Sequence, residues 1–271
     1  MTASSLPSVD SALSVVEARG VTKTYPNGTH ALAPVDLAVG RGELVTLLGP
    51  SGCGKSTLLN LFAGLIDPSE GELRWWDGTL AATGGAGRRL GFVFQSPTLM
   101  PWARVSANVR LPLDLLRVPR FEAEQRVADA LALVGLGRFA RHYPRELSGG
   151  MQMRVSIARA LVTEPDLLLM DEPFGALDEF TRNRLDDELV ALWSARGLTI
   201  VFVTHSIHEA VYLSTRVVVM AARPGRVLAD LPVETAHPRG DPFRASGAYG
   251  ALCASLSELV AAAGAQEAER A

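Results

Sequence analysis

A glycine-rich stretch between an apolar run and a run of helix formers has the residues needed to hold a phosphate chain. Gly49, Gly54, Lys55 and Ser56 fill the pattern G-x-x-x-x-G-K-[ST]. Glycines let backbone N–H groups surround an anion, and the helix that begins near Lys55 directs its positive end to the same place. The lysine ammonium can reach the β- and γ-phosphates, and the serine hydroxyl can ligate Mg²⁺. The residues predicted to surround the phosphates are Gly49, Pro50, Ser51, Gly52, Cys53, Gly54, Lys55, Ser56 and Thr57.

Polar residues directly follow three other apolar runs. Gln95 follows LGFVF, Asp171 and Glu172 follow LLLM, and His205 follows TIVFVT. Ligands of open parallel sheets bind beyond the carboxyl ends of the strands, so we expect these side chains to converge on the phosphate loop. There Asp171 would organise the hydration shell of Mg²⁺, and Glu172 would accept a proton from an attacking water. Gln95 could contact the metal or that water, and His205 could hold the γ-phosphate or the water in line. The predicted metal ligands are Ser56, Gln95 and Asp171.

Each of these features also has an ordinary structural interpretation. Glycine-rich turns, histidines satisfied by a backbone group and adjacent carboxylates at helix starts are all common. The apolar run before Asp171 and the proline at position 173 disfavour a helix start there. The position of His205 at the end of a predicted strand favours a role in the site.

A second serine-glycine stretch lies more than 90 residues from the first. The sequence LSGGM precedes a long amphipathic helix and lacks a lysine, which gives half of an anion site at Ser148, Gly149 and Gly150. An economical use for such a half-site is to close over a nucleotide held by another copy of the chain. Tyr25, at the end of a predicted strand, could stack on a base, although aromatic residues at hairpin ends more often pack. No N-K-x-D motif for guanine is present.

Periodicity and turn signals predict an α/β fold that positions these residues. The predicted strands cover residues 15–24, 32–39, 44–48, 72–76, 90–94, 167–170, 198–203, 217–220 and 226–231. The predicted helices begin near residues 55 and 150 and cover 106–116, 122–134, 181–195 and 248–263. The first two strands are expected to be antiparallel partners. The expected divisions are a flexible arm (1–13), a nucleotide-binding core (14–95 and 162–235), an inserted helical subdomain (96–161) and a tail with a docking helix (236–271).

Composition limits the possible partners. The 271 residues carry a net charge of −3, which supplies no broad basic surface and argues against nucleic acid. Cys53 and Cys253 are too few for a disulfide framework and favour a reducing compartment. We expect no signal peptide and no membrane span, because no long uninterrupted apolar run occurs. Work at a membrane would therefore need other chains to cross it.

Together these motifs resemble the nucleotide-binding subunit of an ABC transporter over residues 15–231. The resemblance implies a P-loop NTPase fold of the RecA-like type, with a mixed sheet, an antiparallel β subdomain and an inserted helical subdomain. The implied motif residues are Tyr25 for adenine stacking, Gln95 of the Q-loop, Ser148 to Gly150 of the signature motif, Asp171 and Glu172 of Walker B, Asp178 of the D-loop and the switch histidine His205. Met151 departs from the common signature glutamine, and we expect activity to survive that change.

Two further stretches, TLMPW at 98–102 and ARPGRV at 222–227, are similar to the nitrate, sulfonate and taurine importer branch. This likeness implies uptake of a small, often anionic solute, with ATP and Mg²⁺ as cofactors. The implied partners are a second copy of the chain, transmembrane permease subunits and, indirectly, a solute-binding protein, at the cytoplasmic face of the inner membrane. Met100, Pro101 and Trp102 form an apolar stretch suited to a permease helix or, alternatively, to packing between subdomains.

Two other classes share part of this pattern. A soluble ABC-type ATPase of translation or DNA repair would carry the same motifs, usually in tandem copies or with a coiled-coil insertion, and neither is visible in the sequence. A scaffold that binds ATP without hydrolysing it is the other alternative. The sequence does not identify the solute, because solutes contact the binding protein and the membrane subunits.

Overall fold

The computed structural model describes residues 14–76, 78–79, 88–175 and 177–268, so the predicted arm over residues 1–13 lies outside it. The described strands form a six-stranded and a three-stranded sheet. The strands are β1 (Ser14–Thr24), β2 (His30–Gly40), β3 (Leu44–Leu48), β4 (Glu70–Trp75), β5 (Leu90–Val93), β6 (Leu167–Asp171), β7 (Thr199–Thr204), β8 (Arg216–Ala221) and β9 (Arg226–Pro232). The α-helices are α1 (Lys55–Phe62), α2 (Val105–Leu115), α3 (Arg120–Leu133), α4 (Gly149–Leu161), α5 (Glu179–Arg196), α6 (Ile207–Leu213), α7 (Asp241–Arg244) and α8 (Gly247–Ala268).

The six-stranded sheet has the order β5-β6-β7-β3-β8-β9. Its pairs are parallel except for the antiparallel pair of β8 and β9. Every residue of β3 and β7 is buried, as expected for strands covered on both faces. Along β7, Ile200 and Phe202 pack into one core cluster, whereas Val201 and Val203 pack into another. The carboxyl ends of β3, β5, β6 and β7 therefore open at the same edge of the sheet.

The three-stranded antiparallel sheet has the order β2-β1-β4 and packs on one face of the larger sheet. Val16 and Leu37 of this sheet share a core cluster with Leu58 and Phe62 of α1. The indole N–H of Trp75 donates to the carbonyl of Phe62 at 2.8 Å, which joins the end of β4 to the end of α1. Helix α1, which follows the phosphate loop, is therefore packed against the three-stranded sheet and hydrogen-bonded to the end of β4.

The chain between β5 and β6 is helical wherever it has regular structure. Besides α2, α3 and α4 it contains two 3₁₀ turns, Gly137–Phe139 and Pro144–Glu146. Val109 of α2, Leu131 of α3 and Val155 of α4 are buried in the core cluster that also contains Phe202 of the sheet. The α/β fold with a mixed sheet, an antiparallel sheet and an inserted helical block is thus as predicted, while the exact subdomain boundaries stay predictions.

Element bounds differ from the sequence prediction at several ends. The helix predicted over 181–195 begins at Glu179, because the Asp178 carboxylate accepts a hydrogen bond from the Thr181 N–H and caps it two residues earlier. The terminal helix predicted over 248–263 extends to Ala268. The short helices α6 and α7 were not predicted, since seven and four residues carry too little periodicity to be recognised.

The segment after β9 is fixed to the core by a buried arginine. Arg239 is 6% exposed, and its guanidinium donates to five backbone carbonyls. Those acceptors are the carbonyls of Val211, Tyr212, Ser214, Val233 and Thr235. Leu256 of α8 is buried in the cluster that α8 forms with α6 and β8. The predicted docking helix therefore docks on its own chain.

Candidate functional site

The phosphate loop connects β3 to α1 and holds its lysine inside the loop. Lys55 is 4% exposed, and its ammonium donates to the carbonyls of Gly49 at 2.8 Å and Pro50 at 2.9 Å. Gly54 adopts φ 90° immediately before the helix, and a Cβ there would lie 2.6 Å from a methyl carbon of Leu32. Glycine is therefore required at this position both by the backbone conformation and by the contact with β2. The loop has the curled shape that the sequence pattern predicted.

Cys53 lies within this loop, but its side chain points away from the cleft. The residue is fully buried, and its Sγ lies 3.7 Å from the Lys55 ammonium. Burial raises the pKa of the Cys53 thiol, and the neighbouring lysine opposes that shift. Of the predicted phosphate-binding residues, Cys53 can therefore contribute only its backbone.

Ser56 and Asp171 bring a hydroxyl and a carboxylate together across the site. The Ser56 Oγ donates to Asp171 Oδ1 at 2.9 Å, which joins the first turn of α1 to the end of β6. Burial raises the pKa of Asp171, and the hydrogen bond from Ser56 partly offsets that rise. A cation at this point would relieve the desolvated carboxylate, and oxygen donors of this type suit Mg²⁺. The residues present therefore fit the metal that the sequence predicted.

Glu172 and His205 also meet, from the ends of neighbouring strands. Glu172 Oε2 lies 3.1 Å from His205 Nδ1. Glu172 has φ 42°, a left-handed conformation that is uncommon for a residue other than glycine, and its N–H donates to the carbonyl of Val203 at 3.0 Å. Such strain persists where the surroundings impose it, and here it turns the carboxylate toward the histidine. Two of the predicted catalytic side chains are thus in direct contact.

Lys55, Ser56 and Glu172 line one cleft of about 610 Å³. Asp171 and His205 are not on its wall and reach it through their contacts with Ser56 and Glu172. The predicted residues on its wall are Tyr25, Ser51, Gly52, Gly54, Lys55, Ser56, Thr57, Gln95 and Glu172. The Tyr25 hydroxyl lies 3.3 Å from Thr57 Oγ1, which fixes the ring beside the start of α1. The cleft therefore has a cationic loop, an aromatic ring and a carboxylate on its wall, a combination suited to a nucleotide.

Five lining residues were not predicted as site residues: Thr29, His30, Ala31, Arg223 and Gly225. Gly225 packs against the outside of the phosphate loop, where an added Cβ would lie 2.4 Å from the Cys53 carbonyl oxygen. Its N–H donates to the carbonyl of Ala31 at 3.0 Å. The stretch ARPGRV was noticed only for its branch likeness, and nothing in the sequence indicated that β9 would bring it to the loop.

Ser148 and Asp178 do not line this cleft. Both are exposed and cap helices: Ser148 Oγ accepts from the Met151 N–H at 3.3 Å at the start of α4, and Asp178 caps α5. A Cβ on Gly150 would lie 3.3 Å from a methyl carbon of Thr181, so the two helix starts are neighbours. Within one copy, then, the predicted site residues fall into a set in and beside the cleft and a separate exposed set made of Ser148, Gly149, Gly150 and Asp178, of which only Gly150 is half-buried.

The apolar stretch at residues 100–102 is fixed by hydrogen bonds to Asn108 and exposes Trp102 to solvent. The buried side chain of Asn108 accepts from the Met100 N–H at 2.7 Å and donates to the carbonyls of Met100 and Ala103 at 3.1 Å. Trp102 is 77% exposed. The alternative interpretation, in which this stretch packs between subdomains, is wrong for Trp102.

Comparisons with known proteins agree on one family. A family model described as ABC transporter matches residues 32–175. A taurine import ATP-binding protein of Rhizobium johnstonii is 49% identical over 205 residues, which span 76% of this chain and 77% of that protein. An aliphatic sulfonates import ATP-binding protein of Bacillus subtilis is 43% identical over 208 residues, 77% of this chain and 79% of the relative.

Solved structures show the same similarity in three dimensions. A subunit of an ABC transporter complex from Clostridium perfringens superposes with a TM-score of 0.74 at 30% identity, covering 82% of this chain and 90% of that one. An ATP-binding cassette solved as a dimer in a post-hydrolysis state with ADP and Pi has a TM-score of 0.71 at 36% identity, covering 82% and 100%. Within the ranges that the structure describes, no helix is long and apolar enough to cross a membrane.

Proposed function

Since this chain belongs to the ABC transporter family as the ATP-hydrolysing subunit of an importer, we propose that it powers uptake of a small anionic solute of the nitrate, sulfonate or taurine type. The observation that carries the mechanism is the pairing of Glu172 with His205 at 3.1 Å, beside the contact of Ser56 with Asp171 at 2.9 Å. Glu172, the proposed proton acceptor, and the pair of Ser56 and Asp171, the proposed metal ligands, thus lie beside the phosphate loop that carries Lys55.

Each residue in or beside the cleft has a role that follows from its chemistry. Lys55 exchanges its two loop carbonyls for β- and γ-phosphate oxygens, and Tyr25 stacks on the adenine. Ser56, Asp171 and Gln95 would hold Mg²⁺, which would supply positive charge to neutralise the transferred phosphoryl group. Glu172 accepts a proton from the attacking water. His205, held by Glu172, orients that water or the γ-phosphate.

The exposed set, Ser148 to Gly150 and Asp178, acts on the nucleotide of a second copy. Its support is geometric: Gly149 and Gly150 place their N–H groups at the start of a helix, and Ser148, Gly149 and Asp178 are exposed. None of the four lines the cleft of its own copy. A related cassette has been solved as a dimer with ADP and Pi. Two copies would therefore enclose two ATP molecules, closing when ATP binds and opening after hydrolysis.

The remaining partners follow from the branch. Relatives at 43% and 49% identity are named as sulfonate and taurine import proteins. We assign permease subunits to the surface around Trp102, a solute-binding protein as an indirect partner, and a peripheral place at the cytoplasmic face of the inner membrane. The net charge of −3 gives no reason to expect nucleic acid as a partner.

Glu172→Gln tests the catalytic role. Because the amide keeps the shape but cannot accept the proton, phosphate release should fall by about 100-fold or more while ATP binding persists. Light scattering should then detect a stable dimer that forms only with ATP. Glu124→Gln, an exposed change on α3, is the matched control and should behave as the wild type. Full turnover in Glu172→Gln would remove Glu172 from the role of base.

Trp102→Ala tests the importer assignment. The purified variant should keep its ATPase activity but should no longer co-purify with membranes that contain the permease subunits of the importer. Phe121→Ala is a control of similar exposure, 87% against 77% for Trp102. Wild-type protein that sediments with ribosomes and never with membranes would instead favour a soluble ABC ATPase.

A further inference from the structure

A buried carboxylate lies directly behind the catalytic histidine. Glu209 of α6 is 4% exposed, and its Oε2 accepts a short hydrogen bond from the Thr204 hydroxyl. Thr204 Oγ1 also accepts from the Ser206 N–H at 2.9 Å, and Ser206 Oγ accepts from the Glu209 N–H at 3.3 Å. These hydrogen bonds connect the residues on either side of His205. The direction of the histidine side chain therefore depends on where Glu209 is held.

The second oxygen of the same carboxylate faces an arginine from the Asp178 region. Arg182 Nε lies 3.7 Å from Glu209 Oε1. Another nitrogen of the guanidinium donates to the carbonyl of Leu177 at 2.8 Å, one residue before Asp178. A single arginine thus contacts both the Asp178 loop and the anchor of the His205 turn.

The ion pair is incomplete in the form that the structure describes. Among the described residues, Arg182 Nε and Glu209 Oε1 are both buried without a hydrogen-bond partner. A charge-assisted hydrogen bond needs a separation of about 2.8 Å, so the observed 3.7 Å leaves room for the pair to close. Buried groups left unpaired are costly, which favours closure whenever the Asp178 loop allows it.

We propose that Arg182 and Glu209 are positioning residues that couple the Asp178 loop to His205. When a second copy contacts Asp178, Leu177 and Arg182 shift together and the ion pair closes. Glu209 then holds the Thr204–Ser206 turn in place, which keeps His205 in its 3.1 Å contact with Glu172 during turnover. This inference rests on the proposed function, because the second copy supplies the contact. Neither Arg182 nor Glu209 lines the cleft, so each acts through other residues.

The test is steady-state ATP hydrolysis by Glu209→Gln, Arg182→Met and the double variant. Each single change should lower kcat by about tenfold or more while KM and the Kd for ATP stay within about twofold, since misplacement of a positioned group affects turnover rather than binding. The kcat of the double variant should be no lower than that of the less active single variant, because both changes break the same coupling. Arg182→Lys keeps a charge for Glu209 and should recover part of the loss.

Matched variants separate coupling from folding. Arg184→Met removes an exposed arginine of the same helix, which pairs with Glu188 at 3.8 Å, and should keep wild-type kcat. Thr204→Ser, which keeps the hydroxyl, should retain activity, and Thr204→Val should lose it; this pair remains informative if a Glu209 variant unfolds. Multiplicative losses in the double variant, a parallel rise in KM, or unchanged kcat in the single variants would overturn the coupling. Failure of the wild type to hydrolyse ATP would instead count against the proposed function.

Discussion

The titration of Asp186 should make the free energy of unfolding of this protein fall as the pH rises, and Asp186→Asn should remove that dependence. The side chain is 2% exposed on α5, and Oδ1 has no hydrogen-bond partner among the described residues. Burial, reinforced by the charge of Glu209, raises the pKa of Asp186 from 3.8 to about 8. Asp187 acts in the same direction, while the guanidinium groups of Arg244 and Arg182 oppose it.

The sign follows from proton linkage. Between pH 4 and pH 8 the folded state keeps a proton that the unfolded state releases, so the free energy of unfolding falls as the pH rises. The slope is about 1.4 kcal/mol per pH unit, or roughly 2.7 kcal/mol between about pH 5 and pH 7. The asparagine side chain does not titrate and should lack this slope.

The measurement is urea unfolding followed by tryptophan fluorescence at several pH values from about 5 to 7. The difference in free energy between Asp186→Asn and the wild type should shift by roughly 2 to 3 kcal/mol in favour of the variant over that range. Asp129→Asn, at an exposed carboxylate of α3, is the control and should follow the wild type. An Asp186→Asn variant that loses stability as steeply as the wild type would refute the reasoning.

Three further changes have defined outcomes. Gly225→Ala would bring a Cβ within 2.4 Å of the Cys53 carbonyl oxygen, so thermal unfolding should reveal a loss of about 1 to 3 kcal/mol and ATP titration a weaker affinity. Arg239→Met removes the donor to five buried carbonyls and should cost about 3 kcal/mol or more in urea unfolding; a smaller effect would mean that the tail is held mainly by α8. Iodoacetamide should label Cys253 and spare the fully buried Cys53 with or without ATP, and rapid labelling of Cys53 detected by mass spectrometry would contradict the burial.

The site residues were predictable because each lies at the end of a strand or the start of a helix, and the local sequence indicates where these elements end and begin. The loop before Lys55 is defined by its glycines, and Asp171 and Glu172 follow an apolar run that ends in charge. Since parallel strands align their carboxyl ends, the convergence of these residues followed once the runs were recognised as strands. The contact between Glu172 and His205 is the product of that topology.

Other features depend on contacts between distant segments and left no local signal. The Cys53 side chain is buried in a core cluster with Leu32 of β2 and with Met220 of β8, which lies far along the chain. Nothing in the composition of α6 indicates that Glu209 is buried, since a glutamate on a short amphipathic helix is usually exposed. The role of Arg239 depends on five carbonyls contributed by two segments, 211–214 and 233–235, and a single arginine in a polar tail does not predict it.

The two hydrogen bonds of Lys55 to Gly49 and Pro50 affect how the site selects its ligand. The ammonium has already given up water and freedom of rotation before any nucleotide arrives, so binding is an exchange of one set of oxygen acceptors for another. A neutral mimic of a phosphate would offer no better acceptor than the carbonyls that it displaces. The two carbonyls around the Lys55 ammonium should therefore favour charged ligands over neutral ones, independently of the other groups of the site.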